Sequence, residues 1–141
     1  SLGIHQLARL ESFIQTRAMY AELYTEAFSR IPEIMIPQVK PNVRHAWHLY
    51  IIRINRERLK INRARFIEAL RAQNIGVSVH FIPLHLHPFY QKRYGFKRGD
   101  FPVAEAIYDD IISLPLYPKM TAHDVEDVIE AVKHIVAQYR E

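Results

Sequence analysis

Trp47-His-Leu-Tyr-Ile-Ile-Arg-Ile54 and Ile75-Gly-Val-Ser-Val-His-Phe-Ile82 flank a stretch with helical spacing, and this arrangement decides the fold. The first run is β-branched and aromatic and reads as a strand. In the second, Val77, Val79 and Phe81 alternate with Ser78 and His80, the period of a strand with two different faces. Between them Asn62 can cap a helix over Arg63 to Gln73, with Phe66, Ile67 and Leu70 on one side. Asn74 tolerates the left-handed backbone that stops a helix. Strand, helix and strand in this order make an α/β chain.

Upstream, residues 2–30 read as one long amphipathic helix with Leu7, Leu10, Phe13, Ile14, Ala18, Ala21 and Phe28 near helical spacing; Arg17 breaks the stripe. No capping residue precedes it, so Ser1-Leu2-Gly3-Ile4 reads as a chain entered inside or just before a helix, as expected of a piece of a longer protein. Pro32, Pro37 and Pro41 end the helix and give an extended connector. Downstream, Pro83 closes the second strand, and Leu84 to Gly99 reads as irregular, aromatic and basic. Phe101 to Ile111 reads as a helix entered through Pro102. Ser113-Leu-Pro-Leu-Tyr-Pro118 reads as a short extended segment. Thr121 and Asp124 resemble a capping box ahead of a last helix. That helix carries a stripe of Val125, Val128, Ile129, Val132, Ile135, Val136 and Tyr139. The expected architecture is a two-layer α/β (α+β) sandwich over residues 45–141, with a small mixed or antiparallel sheet flanked by helices. The expected organisation is a single domain over 1–141 with no internal repeat.

Composition narrows the function classes. The chain has 141 residues, of which 49% are hydrophobic and 24% charged, enough for a core without staples. With no cysteine, a disulfide scaffold, a thiolate nucleophile and a thiolate metal site are all excluded. No run approaches the roughly 20 apolar residues of a membrane span. The first residues follow a charged helical pattern rather than the apolar region of a signal peptide, and the expected location is cytoplasmic. The net charge of +4 is spread out. Its densest patch, Arg53 to Arg65, reads as a solvated loop and helix start rather than a nucleic-acid surface.

Five of the eight histidines, His45, His48, His80, His85 and His87, fall in two segments. A metal site is the first idea, but His45 and His48 straddle a strand start. His85 and His87 meet no carboxylate before Asp100, and no metal is expected. The segment His80 to Tyr90 combines imidazoles and aromatic rings on a proline-stiffened loop after a strand, a mixture suited to a sugar or a nucleotide. A loop folded back to bury its aromatics fits equally well. With only four glycines there is no phosphate-cradling loop, and there is no nucleophile elbow. Asp109 and Asp110 are adjacent on a helix and face apart. None of Lys40, Lys60, Lys92, Lys97, Lys119 and Lys133 has an apolar or cationic setting that would activate it as a Schiff-base lysine.

Taken in order, five segments resemble the C-terminal third of the DegT/StrS class of nucleotide-sugar aminotransferases. They are Gly3 to Leu7 with Leu10, Phe13 and Arg17; His45 to Tyr50; Ile75 to His85 with Pro88 and Tyr90; Tyr94-Gly95 with Phe101-Pro102 and Ala104-Glu105; and Ser113 to Pro118 with Thr121 and Asp124. The resemblance implies the small domain of a fold-type-I, pyridoxal-phosphate-dependent transaminase that moves an amino group from glutamate to a keto carbon of a nucleotide-linked sugar. The run from His80 to Tyr90 looks closer to enzymes acting at C4 than at C3. The cofactor lysine and phosphate-binding residues belong to the family's large domain. No catalytic residue is therefore expected here, and this chain alone is expected to be inactive and to bind little cofactor. What carries over is the wall of the substrate pocket, with His80, Phe81 and His85 as its candidates and Trp47 and His48 as weaker ones. The resemblance also implies a homodimer with pockets at the subunit interface, and an apolar face along Leu7, Leu10 and Ile14 where the large domain would pack. Two other readings remain open at this stage: a non-catalytic α/β module that binds RNA or another ligand, and a metal enzyme built on the histidine loop.

Overall fold

The computed structural model describes residues 2–141; Ser1, the first residue of the expected mid-helix entry, lies outside them. Five helices and three strands follow in the order α1 (Leu2–Phe28), β1 (Ile34–Met35), β2 (Tyr50–Ile54), α2 (Arg63–Ala72), α3 (Pro88–Tyr94), α4 (Pro102–Asp110), β3 (Ile111–Leu114) and α5 (Ala122–Tyr139). The strands form one antiparallel sheet in the order β1-β2-β3. Ile34 sits opposite Ile54, and Tyr50 to Arg53 sit opposite Leu114 to Ile111. The expected small sheet flanked by helices is therefore present, and its sense is antiparallel.

Alternation along the strands sorts two faces. Tyr50, Ile52 and Ile54 of β2 and Ile112 and Leu114 of β3 enter one core with Tyr24 and Phe28 of α1, Phe66 and Leu70 of α2, and Val125, Val132, Ile135 and Val136 of α5. Helix α5 packs on both α1 and α2, which closes the helical layer over that face. Ile51 and Arg53 of β2, and Ile111 and Ser113 of β3, turn the other way. Among the described residues no helix is long and apolar enough to cross a membrane.

The core includes tyrosines, and each buried hydroxyl needs a partner. Tyr24 donates to the Pro115 carbonyl at 2.9 Å, Tyr20 donates to the Met120 carbonyl, and the Tyr50 hydroxyl lies 2.9 Å from Thr25 Oγ1. Burial pushes the Tyr24 hydroxyl well above its ordinary pKa, so it stays a donor. Together Tyr20 and Tyr24 tie the C-terminal half of α1 to the segment leading into α5. The buried carboxylate of Glu33 accepts two bonds from Arg140, at 3.1 and 3.3 Å, which pins the end of α5 beside β1.

Helix ends follow local chemistry. Asn62 Oδ1 accepts from the Arg65 amide at 3.0 Å, and Asn74 is left-handed with φ 61°. Thr121 and Asp124 exchange both bonds of a capping box, at 2.7 and 3.2 Å.

Four expectations are corrected. The strand expected over 75–82 is an extended segment that pairs only at Ser78, opposite Ser113. The stretch 84–99 is not irregular: a 3-10 turn (Leu84–Leu86) leads into α3, which starts at Pro88 and ends on left-handed Gly95. The last strand lies at Ile111–Leu114 rather than at Ser113 to Pro118, because Pro115 has no N–H to continue a ladder. The strand expected from Trp47 starts at Tyr50, after Trp47 with φ 47°. On the N-terminal half of α1 the stripe does not enter the core: Ile4, Leu7 and Leu10 are exposed and Ile14 is half-buried.

This division is measurable by urea unfolding. Ile135→Ala, at a site with no exposure, is expected to cost roughly 2–5 kcal/mol. Leu7→Ala, at a site 70% exposed, is expected to stay within about 0.5 kcal/mol of the parent.

Candidate functional site

The segment after α2 meets the outer edge of β3. The Ser113 amide donates to the Ser78 carbonyl at 2.8 Å, and the Ser78 amide donates back at 3.2 Å. This bridge fixes the chain two residues before His80. His80 Nδ1 then lies 2.8 Å from Ser113 Oγ, and the serine is buried. The His80–Phe81 peptide is cis, and the Phe81 ring stands edge-on to the imidazole with centroids 4.6 Å apart. Phe81 is 73% exposed. A rigidly mounted imidazole beside a bare aromatic face can hydrogen-bond a polar group and stack a ring at once.

His85 sits apart from this pair. It is 5% exposed, and its Nε2 lies 2.8 Å from Glu105 Oε1 on α4. Glu105 also accepts from the Gly99 amide, 2.9 Å from both oxygens, and from the Phe101 amide at 3.3 Å. Gly99 has φ 102°, a conformation that a side chain would strain. Burial pushes the Glu105 pKa up, but the Gly99 amide, the His85 ring and the Phe101 amide outweigh it and hold the carboxyl below its ordinary range. Around this hub runs an aromatic row. Phe101 lies 4.6 Å from the His85 ring and 5.4 Å from Phe96, Tyr94 lies 5.8 Å from Phe96, and Tyr90 lies 6.1 Å from Tyr94. Between Pro83, Leu84, Tyr90, Phe96 and Phe101 the row leaves an open, mostly apolar groove of about 380 Å³.

The three sequence candidates are thus divided. His80 and Phe81 share a surface, whereas His85 is buried 20 residues from its acid partner in sequence and holds the loop together. Trp47 is half-buried against Tyr50, with ring centroids 5.6 Å apart, and its amide donates to His45 Nδ1; His48 is exposed and joins neither site. Asp109 and Asp110 do face apart. Asp109 pairs with Arg98, while buried Asp110 accepts from Arg53 at 3.0 Å and has Arg56 Nε at 2.6 Å without hydrogen-bond alignment. Among the described residues no three His, Asp or Glu side chains gather as metal ligands. All six lysines are exposed. None therefore has the desolvated setting that activates a Schiff-base lysine.

Glu105 and Ser113 anchor the candidate residues; both stand in segments that carry the family resemblance, but the sequence marks neither as a site candidate. A single glutamate in a helix and a single serine in an apolar run carry no signal of their own. Only the pairing of α4 with the loop, and of Ser78 with β3, brings them to the histidines.

The linkage sign for Glu105 follows from its depressed pKa. Stability from its bonds is complete above the ordinary value of 4.5 and is lost as pH falls through the lower folded value. Urea midpoints measured from about pH 6 downward should fall in acid for the parent, and less steeply for Glu105→Gln. An unchanged acid slope in the variant counts against this role.

The sequence profile of the DegT/DnrJ/EryC1/StrS aminotransferase family matches residues 1–133. Spore coat polysaccharide biosynthesis protein SpsC of Bacillus subtilis is 48% identical over 137 residues, 96% of this chain and 35% of SpsC. An uncharacterized protein of Methanocaldococcus jannaschii is 56% identical over 140 residues, 99% of this chain and 36% of that protein. The chain therefore spans about a third of the length of the curated relatives it matches. Among solved structures, Spr1654 of Streptococcus pneumoniae in its PMP form superimposes with a TM-score of 0.87 at 32% identity, over 97% of this chain and 34% of that one. DesV of S. venezuelae, in complex with a ketimine intermediate, superimposes with a TM-score of 0.83 at 29% identity, over 93% of this chain and 34% of that one. With the profile matching residues 1–133 and the fold shared with those solved structures, the chain belongs to the DegT/DnrJ/EryC1/StrS aminotransferase family.

Proposed function

We propose that the complete protein is a pyridoxal-phosphate-dependent aminotransferase that moves an amino group from glutamate to a keto carbon, C4, of a nucleotide-linked sugar in polysaccharide biosynthesis. This chain is its small domain. The observation that carries the reading is the profile match over 1–133 on a chain whose own lysines are all exposed. Relatives whose names point to spore coat polysaccharide and to a PMP-bound form support the substrate class and the cofactor. In this reading the cofactor is held by residues beyond these 141, and the chain alone is inactive.

The role of this chain is to wall the substrate pocket. His80 supplies a hydrogen bond and Phe81 an apolar face for the sugar or its base, while His85 acts through Glu105 by holding the loop that follows them. The exposed Ile4, Leu7 and Leu10 on α1 are the face that packs against the rest of the protein. The working unit is a homodimer with pockets at the subunit interface.

Borohydride reduction of the complete protein with pyridoxal phosphate, followed by peptide mass spectrometry, tests the reading. The cofactor should be fixed to a lysine outside residues 1–141; fixation to one of the six lysines here would overturn it. Phe81→Ala in the complete protein should raise KM for the keto sugar nucleotide by about tenfold, ~1.4 kcal/mol, with KM for glutamate unchanged.

A further inference from the structure

We propose that Ser113 is a positioning residue that fixes neutral His80 in one tautomer, with the proton on Nε2, so that the wall presents a neutral N–H donor to an acceptor oxygen of the ligand. The ligand half of this statement rests on the reading of His80 as part of the substrate wall; the tautomer half does not.

The argument starts from the strand. In β3, Ile112 and Leu114 enter the core, so the Ser113 side chain turns to the opposite face, while its backbone pairs with Ser78 along the sheet edge and brings His80 within reach. The serine is buried, and among the described residues the partner of its Oγ is His80 Nδ1 at 2.8 Å. A buried hydroxyl proton left without an acceptor is costly. The Nδ1 lone pair is the acceptor in reach. If Nδ1 carried the proton instead, two donors would face each other or the hydroxyl would turn its proton toward nothing. The hydroxyl therefore donates to Nδ1, and the neutral ring keeps its proton on Nε2.

The other end of the ring is open. His80 Nε2 makes no hydrogen bond among the described residues, yet it is not among their buried unsatisfied atoms, so it reaches solvent. The half-buried ring is steadied by Phe81 on its edge. The outward group is thus a donor on a fixed axis. Its complement is a hydroxyl, carbonyl or phosphate oxygen, the groups that a nucleotide-linked sugar offers.

Two-bond proton–nitrogen correlation spectra of the full chain, labelled with 15N-histidine, read the tautomer directly at a pH where the ring is neutral. His80→Gln assigns the signals by their loss. The parent should show His80 protonated on Nε2 in roughly tenfold excess or more. Ser113→Ala should collapse that excess toward a mixture, and Ser113→Thr, which keeps the hydroxyl, should restore it. A parent ring protonated on Nδ1, or a Ser113→Ala variant whose tautomer ratio does not move, would overturn the proposal, including when that variant is less stable. No ligand is present in the measurement, so its result stands apart from whether the complete protein transfers an amino group.

Discussion

The register of β3 is the constraint on which the rest depends. All four of its residues, Ile111 to Leu114, are buried, which is unusual for a strand at the end of a three-stranded sheet. The helical layer covers Ile112 and Leu114, the His80 ring lies against the Ser113 hydroxyl on the other face, and the Ser78 backbone pairs along the edge. A slip of one residue would turn Ser113 into the core and an isoleucine toward His80. The apolar demand of the core therefore fixes the one polar side chain of the strand. Ile52 and Ile54 on β2 set the same phase, and Pro115 stops the ladder one residue after Leu114.

A second constraint is electrostatic. Helix α4 carries three acidic residues that point to three places. Glu105 faces the loop, Asp109 pairs with Arg98, and Asp110 lies under β2 with Arg53 and Arg56. A buried carboxylate is tolerated when hydrogen bonds or opposite charge compensate it: backbone amides and an imidazole bond Glu105, while Asp110 takes one bond from Arg53 and the charge of Arg56 beside its unbonded oxygen. Glu105 gathers ligands from positions 85, 99 and 101, so one side chain closes a loop of some twenty residues that has little core of its own. The aromatic row from Tyr90 to Phe101 lies along this closed loop rather than inside the main core.

Much of the fold was legible because it rests on local chemistry. The caps at Asn62 and Thr121 with Asp124, the left-handed Asn74 and the stripe of α5 each involve residues within a few positions of one another. What was not legible depends on partners. Alternation through Val77, Val79 and Phe81 records an extended backbone, but a strand also needs a neighbour along its length, and β3 offers one only at Ser113. Helix α3 could have been read from Pro88 at its first turn and Gly95 at its end, the usual proline-in, glycine-out asymmetry. The aromatic density of the stretch hid it. The family was legible from motif order alone, and the profile match agrees. The partners of the site were not, because the 33 residues between His80 and Ser113 and the 20 between His85 and Glu105 are spanned by tertiary packing.

His80 and His85 stand in the same short motif, and the sequence gives no reason to separate them. The structure separates them by which nitrogen is engaged and how much of the ring is covered. His85 is buried with Nε2, the nitrogen farther from the backbone, bonded to a carboxylate, and a ring held at its far end is a strut. His80 is held at Nδ1, the nitrogen nearer the backbone, so the far nitrogen is left outward. A buried anion suits the first arrangement because it needs charge-assisted donors. A buried hydroxyl suits the second because it supplies one proton and asks for one acceptor. Two histidines five residues apart thus differ in what they can do because their partners, Glu105 and Ser113, differ in charge and in which end of the ring they reach.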